Sequence, residues 1–382
     1  MESRRVPAEQ IKVVAVSSGM VTPYGNGIDV CWENILAGRT AISKLKRFDA
    51  SAFQSENAGT IEGLKYHGKS SLVEQMLVSL FERYKRSIPD DASLIVATTK
   101  GEIDLLEKKI LKGQNNIHAN SQSAFLEKVS SITGTKDKGM IISAACSSAA
   151  AAVARASAMI KCGRTECVLV IACDSVTEFV FSGFSSLMAL DKFSAKPFDK
   201  SRSGLSVGEA AAFVLLMSGP RADKKNREIL GEVLGWGLSD DANHMTGPAR
   251  GSEGLILALR KALLSAGAED KGVGFISAHG TGTVYNDSME MKAFKSVFTD
   301  KKPVYSIKGG IGHTMGASGL VEMIIAMRAL REGKVPPTVN LKEADIEAEG
   351  WVSTKERLIS DNAIGVMTNA GFGGINAALV LG

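Results

Sequence analysis

The sequence predicts an α/β fold in which helices cover both faces of a parallel or mixed β-sheet. Short, almost continuous runs of Val, Ile and Leu recur along the 382 residues, and stretches with helical periodicity fill the gaps between them. Runs of this kind are typical of strands buried on both faces, and their alternation with helices is typical of layered α/β proteins. A composition with 45% hydrophobic and 23% charged residues is that of a globular chain with a sizeable core.

The predicted elements follow from these runs in chain order. The predicted strands are Val13–Val16, Leu94–Ala97, Met140–Ala144, Val168–Ala172, Ala212–Met217, Leu230–Leu234, Phe275–Ala278, Val304–Ile307, Ile364–Met367 and Ala377–Leu381. The predicted helices are Ser71–Tyr84, Leu105–Leu111, Ser147–Lys161, Gly254–Ala266, Ser288–Phe298 and Ala317–Glu332.

The segment Ser218–Arg227 is the most linker-like part of the chain, since it combines Gly, Pro and a basic run. It separates two parts with similar strand and helix content. We therefore predict two related α/β halves, residues 1–220 and 221–382. A solvated surface loop is the alternative interpretation of the segment.

Composition excludes several functional classes. The net charge of +4, from 45 basic and 41 acidic residues, is too small to indicate a nucleic-acid-binding protein. The five cysteines include no C-x-x-C pair, which argues against a disulfide framework or a zinc site and favours a reducing compartment. Residues 1–10 are polar, and the apolar run after them is too short for a signal peptide or a membrane span. We expect a cytoplasmic protein without a membrane span.

Two glycine-rich motifs resemble nucleotide-binding loops but lack the required context. Gly63–Ser70 matches G-x-x-x-x-G-K-[ST], yet the polar stretch SENAGTIE precedes it where a phosphate-binding loop needs a buried strand. Gly371–Asn376, GFGGIN, precedes a strand and not a helix, so it is a poor dinucleotide fingerprint. We interpret it as a flexible turn in which Phe372 and its backbone N–H lie beside a pocket.

Cys146 is the candidate nucleophile. An apolar strand runs directly into it, and Ser147 begins a helix of small residues. A thiol at a helix N-terminus is close to unpaired N–H groups, which stabilise the thiolate and lower the pKa. The alternative is an inert buried thiol, which is our interpretation of Cys31, Cys162, Cys167 and Cys173.

Two histidines follow predicted strands within glycine-rich turns. His279 lies in AHGTGT and His313 in KGGIGHTMGASG. A histidine at a strand end, next to glycines that let a ligand approach the backbone, is well placed as a hydrogen-bond donor or base. A hydrogen-bonded core histidine is the alternative for each. The remaining histidines, His67, His118 and His244, have no comparable setting.

Five motifs in a fixed order resemble those of the β-ketoacyl carrier-protein synthases. They are ACSSAAAA, PFDKSRSG-x-x-x-GEAAA, AHGTGT-x-x-ND, K-x-x-x-GH-x-x-GASG-x-x-E and GFGG-x-NA. The resemblance covers nearly the whole chain and is weakest between residues 53 and 138. It implies a thiolase-like fold, with two similar α/β halves in an αβαβα arrangement, and a homodimer or a heterodimer with a related subunit.

The resemblance also implies an activity and a set of roles. The reaction is the decarboxylative Claisen condensation of malonyl carrier protein with a cysteine-bound acyl chain, in biosynthesis of the fatty-acid, polyketide or aryl-polyene type. By position, Cys146 matches the nucleophile, and His279 and His313 match the decarboxylation histidines. Lys308 and Glu322 match the supporting pair. Phe372 matches the gating aromatic, and its N–H and that of Cys146 form the oxyanion hole.

The implied partner is an acyl carrier protein, whose phosphopantetheine carries the substrates, and no metal or other cofactor is implied. Because carrier proteins are acidic, we predict docking on exposed lysines such as Lys65, Lys69, Lys224 and Lys225. The alternative for each of them is a solvated surface lysine without a partner, since single exposed charges contribute little. The alternative function is a non-catalytic partner resembling a chain-length factor. Such partners lack the nucleophile, which this chain retains.

Several positions depart from the family pattern and predict a reshaped acyl pocket. Ala144 stands where Thr is usual, Gly309 where Ser is usual, and Leu205 where Phe is usual. Ala370 stands where an aromatic residue commonly precedes GFGG, and TTKGEID, residues 98–104, differs from the usual glycine-rich segment. We expect these changes to alter the preference for the acyl chain.

Overall fold

The structure, a computed structural model, describes residues 11–113 and 121–382. Residues 1–10, in which we expected no targeting segment, and His118 lie outside the described residues. Within the described ranges, no helix is both long enough and apolar enough to cross a bilayer.

In the first half, the nucleophile lies between a three-residue strand and a buried helix. In chain order the elements of this half are β1 (Val13–Thr22), β2 (Gly25–Asn26), α1 (Ile28–Leu36), β3 (Ser43–Lys44), β4 (Asn57–Ala58), α2 (Leu72–Tyr84), β5 (Ser93–Ala97), α3 (Ile103–Leu111), α4 (Gln122–Thr133), β6 (Met140–Ile142), α5 (Ser148–Lys161), β7 (Cys167–Asp174), α6 (Glu178–Ser186) and β8 (Ala210–Ser218).

The elements of the second half repeat this alternation. They are α7 (Gly219–Lys224), β9 (Gly231–Asp240), α8 (Glu253–Ala266), β10 (Val273–Ser277), α9 (Val284–Val297), β11 (Val304–Tyr305), α10 (Lys308–Ile311), α11 (Ser318–Glu332), β12 (Lys334–Val335), β13 (Arg357–Leu358), β14 (Ile364–Ala370) and β15 (Ile375–Leu381).

The two halves have the same strand order and the same strand directions. The first half runs β6-β5-β7-β8-β1 and the second runs β11-β10-β14-β15-β9. In each order the first three strands are parallel to one another, and the last two join in antiparallel fashion. The halves meet where β1 pairs with β9 through Val14–Glu232 and Ala15–Gly231. The predicted α/β fold with two similar halves is therefore confirmed.

Two buried helices form the central layer between the strands of the two halves. α5 packs on strands of both halves and against α11, while α2 and α4 cover the outer face of the first half and α8 covers that of the second. All but four residues of α11 are buried, as a helix between two sheets requires. The small side chains of α5 permit this close packing, and the resulting order of layers is αβαβα.

Each predicted strand corresponds to an observed strand, but some boundaries and some elements differ. Two predicted strands end early, at Ile142 and Tyr305, because the chain turns there towards the candidate site. Five of the observed helices were not predicted: α1, α4 and α6, whose apolar faces are short, and α7 and α10, which have only six and four residues. The segment predicted as a linker begins as a helix and not as an irregular loop. Ser218 caps α7 by accepting a hydrogen bond from the Arg221 N–H.

Candidate active site

The candidate residues of both halves converge at the carboxyl ends of parallel strands. Cys146 follows β6, His279 follows β10, His313 follows β11 and Phe372 follows β14. The Cys146 sulfur and one nitrogen of each of the two imidazoles all lie within 4.8 Å of one another. Strands that are remote in sequence therefore deliver three reactive groups to one place, the usual position of a site in an α/β protein.

A sharp turn between β6 and α5 presents Cys146. Ala145 has a φ of +47°, a left-handed conformation that is unfavourable for a residue with a side chain. The turn is held on the helix side, where Ser148 Oγ accepts a hydrogen bond from the Ala144 N–H at 2.8 Å. It is also held from β15, where the Ser147 hydroxyl donates to the Ile375 carbonyl at 2.9 Å. The backbone strain thus places the sulfur at the N-terminus of α5.

The pKa of Cys146 departs from the prediction. We expected the helix N-terminus to lower it, but burial is the largest influence and raises the pKa of this thiol above its usual value. A hydrogen bond from the Phe372 N–H and the positive charges of Lys100 and Lys308 act in the opposite direction. The expectation was wrong in sign because the Cys146 side chain is almost completely removed from water, at 7% exposure.

The glycine turn after β14 brings a second backbone N–H to the sulfur. A Cβ atom at Gly371 would lie 3.2 Å from the Cys146 nitrogen and 3.1 Å from the Ala144 oxygen. Only glycine therefore lets the turn after β14 approach the nucleophile turn this closely without adjustment. The next N–H, that of Phe372, hydrogen-bonds to Cys146. Both N–H groups proposed for an oxyanion hole therefore belong to backbone segments in direct contact.

The turn that carries His279 is fixed by a buried carboxylate that the sequence did not single out. Glu290 of α9 accepts hydrogen bonds from the N–H groups of His279, at 2.7 Å, and Gly280, at 2.6 Å. Burial raises the pKa of Glu290 to about 7. A Cβ atom at Gly280 would lie 2.5 Å from that of Ser306, so the turn also depends on glycine.

Hydrogen-bond partners determine which nitrogen of each imidazole carries its proton. His279 Nδ1 faces two donors, Lys308 Nζ at 3.3 Å and Asn369 Nδ2 at 3.4 Å. His313 Nδ1 lies 3.0 Å from Ser318 Oγ and accepts from the Met315 N–H at 3.3 Å. Because Nδ1 is the acceptor in both rings, we assign the proton of each neutral imidazole to Nε2.

Both imidazoles are held in their neutral form. Burial is the largest cause, and the charge of Lys308 adds to it, so the pKa of His279 and that of His313 lie well below the usual value. The two rings are nearly perpendicular, with centroids 5.1 Å apart. The site therefore offers two uncharged N–H donors next to the thiol, an arrangement suited to stabilising a developing oxyanion.

Lys308, Glu322 and Asn369 form a buried polar network behind His279. The ammonium of Lys308 hydrogen-bonds to the Glu322 carboxylate and to the His279 carbonyl oxygen. Glu322 also accepts from Asn369 Nδ2 at 2.7 Å. Sequence analysis missed Asn369, although its position at the end of an apolar strand, two residues before the GFGG turn, was a usable signal.

We expect Glu322→Gln to lower the free energy of unfolding by about 3 kcal/mol, the lower end for breaking a buried ion pair by removing one charge. The side chains of Lys308 and Glu322 are 1% and 2% exposed, so the Lys308 ammonium would stay buried without its anionic partner and without water to solvate it. Denaturant unfolding of the variant and the wild type measures this difference. Equal stability of the two proteins would contradict the prediction.

The sulfur and both imidazoles line a cavity of about 430 Å³. Leu205 and Ala370, two of the departures noted above, are in its wall, and Phe372 lies there against Phe184 with ring centroids 5.9 Å apart. His244, for which we predicted no special setting, also contributes to the wall. Leu205 and Ala370 are smaller than the residues usual at these positions, and their place in the wall gives the expected change in acyl preference a physical basis.

Two of the predicted docking lysines lie at the wrong end of the sheet. Lys224 and Lys225 line a groove with Asp91, which precedes β5 and therefore lies at the amino ends of the parallel strands, whereas the site lies at their carboxyl ends. The loop at Tyr66 is better placed, since its hydroxyl accepts a hydrogen bond from the Glu178 N–H at the start of α6. The remaining exposed candidates for docking are Lys65 and Lys69.

Two sequence motifs have structural roles. Glu209 of GEAAA is completely buried and forms a two-pronged ion pair with Arg47, at 2.6 Å and 2.7 Å. The loop that matches a phosphate-binding motif leads into α2, whose first N–H groups already bond to Ser71 and Asp104 oxygens. Neither feature contributes to the cavity.

Sequence profiles of one family match most of the chain. The profile described as "Beta-ketoacyl synthase, N-terminal domain" matches residues 10–82 and 90–222, and "Beta-ketoacyl synthase, C-terminal domain" matches residues 230–342. The chain is 30% identical to 3-oxoacyl-[acyl-carrier-protein] synthase 2 of Coxiella burnetii, over 98% of this chain and 99% of the relative. It is 27% identical to the protein of the same name from Vibrio cholerae, over 97% and 98%.

Solved structures give the same result for the fold. The ishigamide ketosynthase/chain length factor superimposes with a TM-score of 0.88 at 27% identity, over 98% of this chain and 99% of that one. A type II PKS ketosynthase in complex with its acyl-carrier protein, bound to the hexaketide, gives a TM-score of 0.88 at 22% identity over 98% and 99%. These likenesses confirm the thiolase-like fold.

Proposed function

The chain belongs to the β-ketoacyl synthase family, and from this we infer that it is an acyltransferase that condenses malonyl-ACP with an acyl chain held on Cys146. The observation that carries the assignment of residues is the convergence of one thiol and two neutral imidazoles within 4.8 Å in one cavity. Acyl transfer needs a nucleophile that also leaves readily, and a thiolate meets both requirements.

The first half-reaction loads the acyl chain. The Cys146 thiolate attacks the thioester carbonyl, a new bond to Sγ forms, and the carrier thiol leaves with the proton that Cys146 lost. The tetrahedral oxyanion is stabilised by the N–H groups of Cys146 and Phe372, whose segments lie in contact.

The second half-reaction uses the histidines. Loss of CO₂ from the malonyl thioester leaves an enolate, and its oxygen accepts hydrogen bonds from the Nε2–H groups of His279 and His313. The enolate carbon attacks the acyl group on Cys146, and the thiolate leaves. Neutral donors suit this step because they stabilise the enolate without donating a full proton to it. Lys308 and Glu322 are positioning residues, since they act on the reacting atoms through His279.

The alternative is a non-catalytic partner subunit. A chain-length-factor-like subunit would need neither a strained turn at Ala145 nor two neutral imidazoles beside a thiol. These features favour the active synthase. Decarboxylation of malonyl carrier protein by the isolated chain separates the two, because the partner subunit would release no CO₂ with any acyl donor.

An acyl carrier protein is the proposed substrate carrier, with Lys65 and Lys69 as its docking residues. Each of the related synthases reported above is named for, or seen with, such a carrier or a related subunit. We propose that this chain likewise works as a dimer, with a second copy or with a related ketosynthase-like subunit. The chemistry described uses no metal or cofactor of its own, since phosphopantetheine arrives with the substrate.

The pH dependence of Cys146 provides a test of its burial. Because burial raises the thiol pKa, we expect alkylation by iodoacetamide to accelerate with pH to a midpoint above that of glutathione. Because both imidazole pKa values lie well below 6.5, the same curve should have no inflection between pH 6 and 7. Mass spectrometry of the Cys146 peptide measures the rate. A midpoint below that of glutathione would contradict the prediction.

A further inference from the structure

A second cavity, of about 220 Å³, lies on the first-half side of the nucleophile turn. Ser143, three residues before Cys146, is in its wall, but it shares no lining residue with the cavity that contains the sulfur. Its wall combines apolar side chains, such as Ile103 and Phe125, with Lys100 and with Glu102, whose carboxylate is paired with Lys128. An alkyl chain would complement only the apolar part of this cavity, because it cannot accept a hydrogen bond from the Lys100 ammonium.

Lys100 brings its charge close to the reacting groups. Its ammonium lies 3.7 Å from the sulfur of Met315, whose backbone N–H donates to His313. The same charge lowers the pKa of both Cys146 and His313. Lys100 therefore lies between the second cavity and the turn that carries Met315 and His313.

The position of Lys100 is held by a buried carboxylate on β7. Asp174 accepts hydrogen bonds from Thr98 Oγ1 at 2.8 Å, Thr99 Oγ1 at 2.7 Å and the Gly316 N–H at 2.7 Å. These bonds tie the turn that carries Lys100 to the turn that carries Met315. The ammonium is thus held in place before a substrate binds, which reduces the entropy lost on binding.

The ammonium is only partly satisfied by the protein. It donates to Thr99 Oγ1 at 2.8 Å and makes a weak contact with the Met315 sulfur, which leaves capacity for a further acceptor. Within residues 11–113 and 121–382, no carboxylate forms an ion pair with it, whereas Lys308 is paired with Glu322. A half-buried cation with a free donor site favours a ligand that carries oxygen.

We propose that Lys100 is a specificity-determining residue that selects acyl chains bearing an oxygen acceptor, either a ketone within the chain or a terminal carboxylate. This inference rests on the proposed function, because it concerns the chain that Cys146 accepts. It applies to an acyl chain that extends from Cys146 past Met315 to Lys100, a lysine of the segment TTKGEID, which departs from the usual glycine-rich sequence.

The test compares three pantetheine thioesters of equal chain length: octanoyl, 3-oxooctanoyl and suberoyl, which ends in a carboxylate. We expect the wild type to form the Cys146 adduct with at least one oxygenated chain about tenfold faster than with octanoyl, as one hydrogen bond to a charged group predicts. Lys100→Met should abolish this preference and Lys100→Arg should retain it. Which oxygenated chain is preferred identifies the acceptor. The exposed Lys271→Met is the matched control, and thermal unfolding verifies that each variant folds.

Binding of the same thioesters to Cys146→Ala and to Cys146→Ala/Lys100→Met, by calorimetry, needs no acyl transfer. A preference for oxygenated chains that disappears in the double variant supports the inference even if the wild type forms no adduct, an outcome that would overturn the proposed function alone. Equal preferences with and without Lys100, in both assays, would overturn the inference and leave the proposed function intact.

Discussion

Cys146→Ala is expected to eliminate acyl-enzyme formation. After incubation with an acyl carrier protein bearing a short or aryl-primed chain, the wild type should gain the mass of the acyl group and the variant should gain none. The physical reason is that, among residues 11–113 and 121–382, no other thiol lies beside two imidazoles: Cys31, Cys167 and Cys173 are buried in the core and Cys162 is exposed. Intact-protein mass spectrometry measures the adduct directly.

Malonyl decarboxylation separates loss of the nucleophile from loss of the fold. It depends on the Nε2–H groups of His279 and His313, neither of which Cys146→Ala removes, so the variant should still release CO₂ from malonyl carrier protein. Alanine is smaller than cysteine and resembles the small side chains that begin α5, so the variant should keep the turn. An adduct of unchanged yield in the variant would show that another residue is the nucleophile. A variant that neither decarboxylates nor unfolds cooperatively would be uninformative, so unfolding is measured alongside.

The sequence was sufficient to predict which residues meet, because each lies just after an apolar strand. Cys146, His279 and His313 follow strands that are parallel to their neighbours, and the carboxyl ends of parallel strands share one edge of a sheet. The order of the motifs then indicated the family. These predictions depend on local patterns, which a single sequence contains.

Other features depend on contacts between segments remote in sequence. Asn369 belongs to the site through its hydrogen bond to Glu322 of α11, and Glu290 through its hydrogen bonds to the turn after β10. Neither contact is visible in the sequence around the residue. The sign of the Cys146 pKa shift was missed for a related reason, since a helix N-terminus is visible in the sequence but the extent of burial is not. Lys100 is the clearest case, because only the fold shows that it lies between Met315 and the second cavity.

Replacing either histidine by alanine should slow malonyl decarboxylation by about 10²–10³-fold, the effect of removing one oxyanion donor. In the proposed mechanism, each variant removes one of two N–H groups that donate to the enolate oxygen, while acylation of Cys146 depends on the backbone N–H groups of Cys146 and Phe372. The acylation rate of each variant therefore serves as the control for its decarboxylation rate. The adduct should form at a rate close to that of the wild type, and CO₂ release should fall.

The two alanine variants should differ in their free energy of unfolding. His279 accepts from Lys308 and Asn369, so its removal leaves the buried ammonium without one of its partners and should also lower the free energy of unfolding. His313 accepts from Ser318 and from the Met315 N–H, and Ser318 also hydrogen-bonds to Thr314 of the same turn, so fewer buried groups lose a partner. His279→Ala should therefore be the less stable variant in denaturant unfolding, although both slow decarboxylation. If acylation fell as much as decarboxylation in either variant, that imidazole would be the base for the thiol, and the division of the site into a backbone oxyanion hole and a pair of imidazole donors would be wrong.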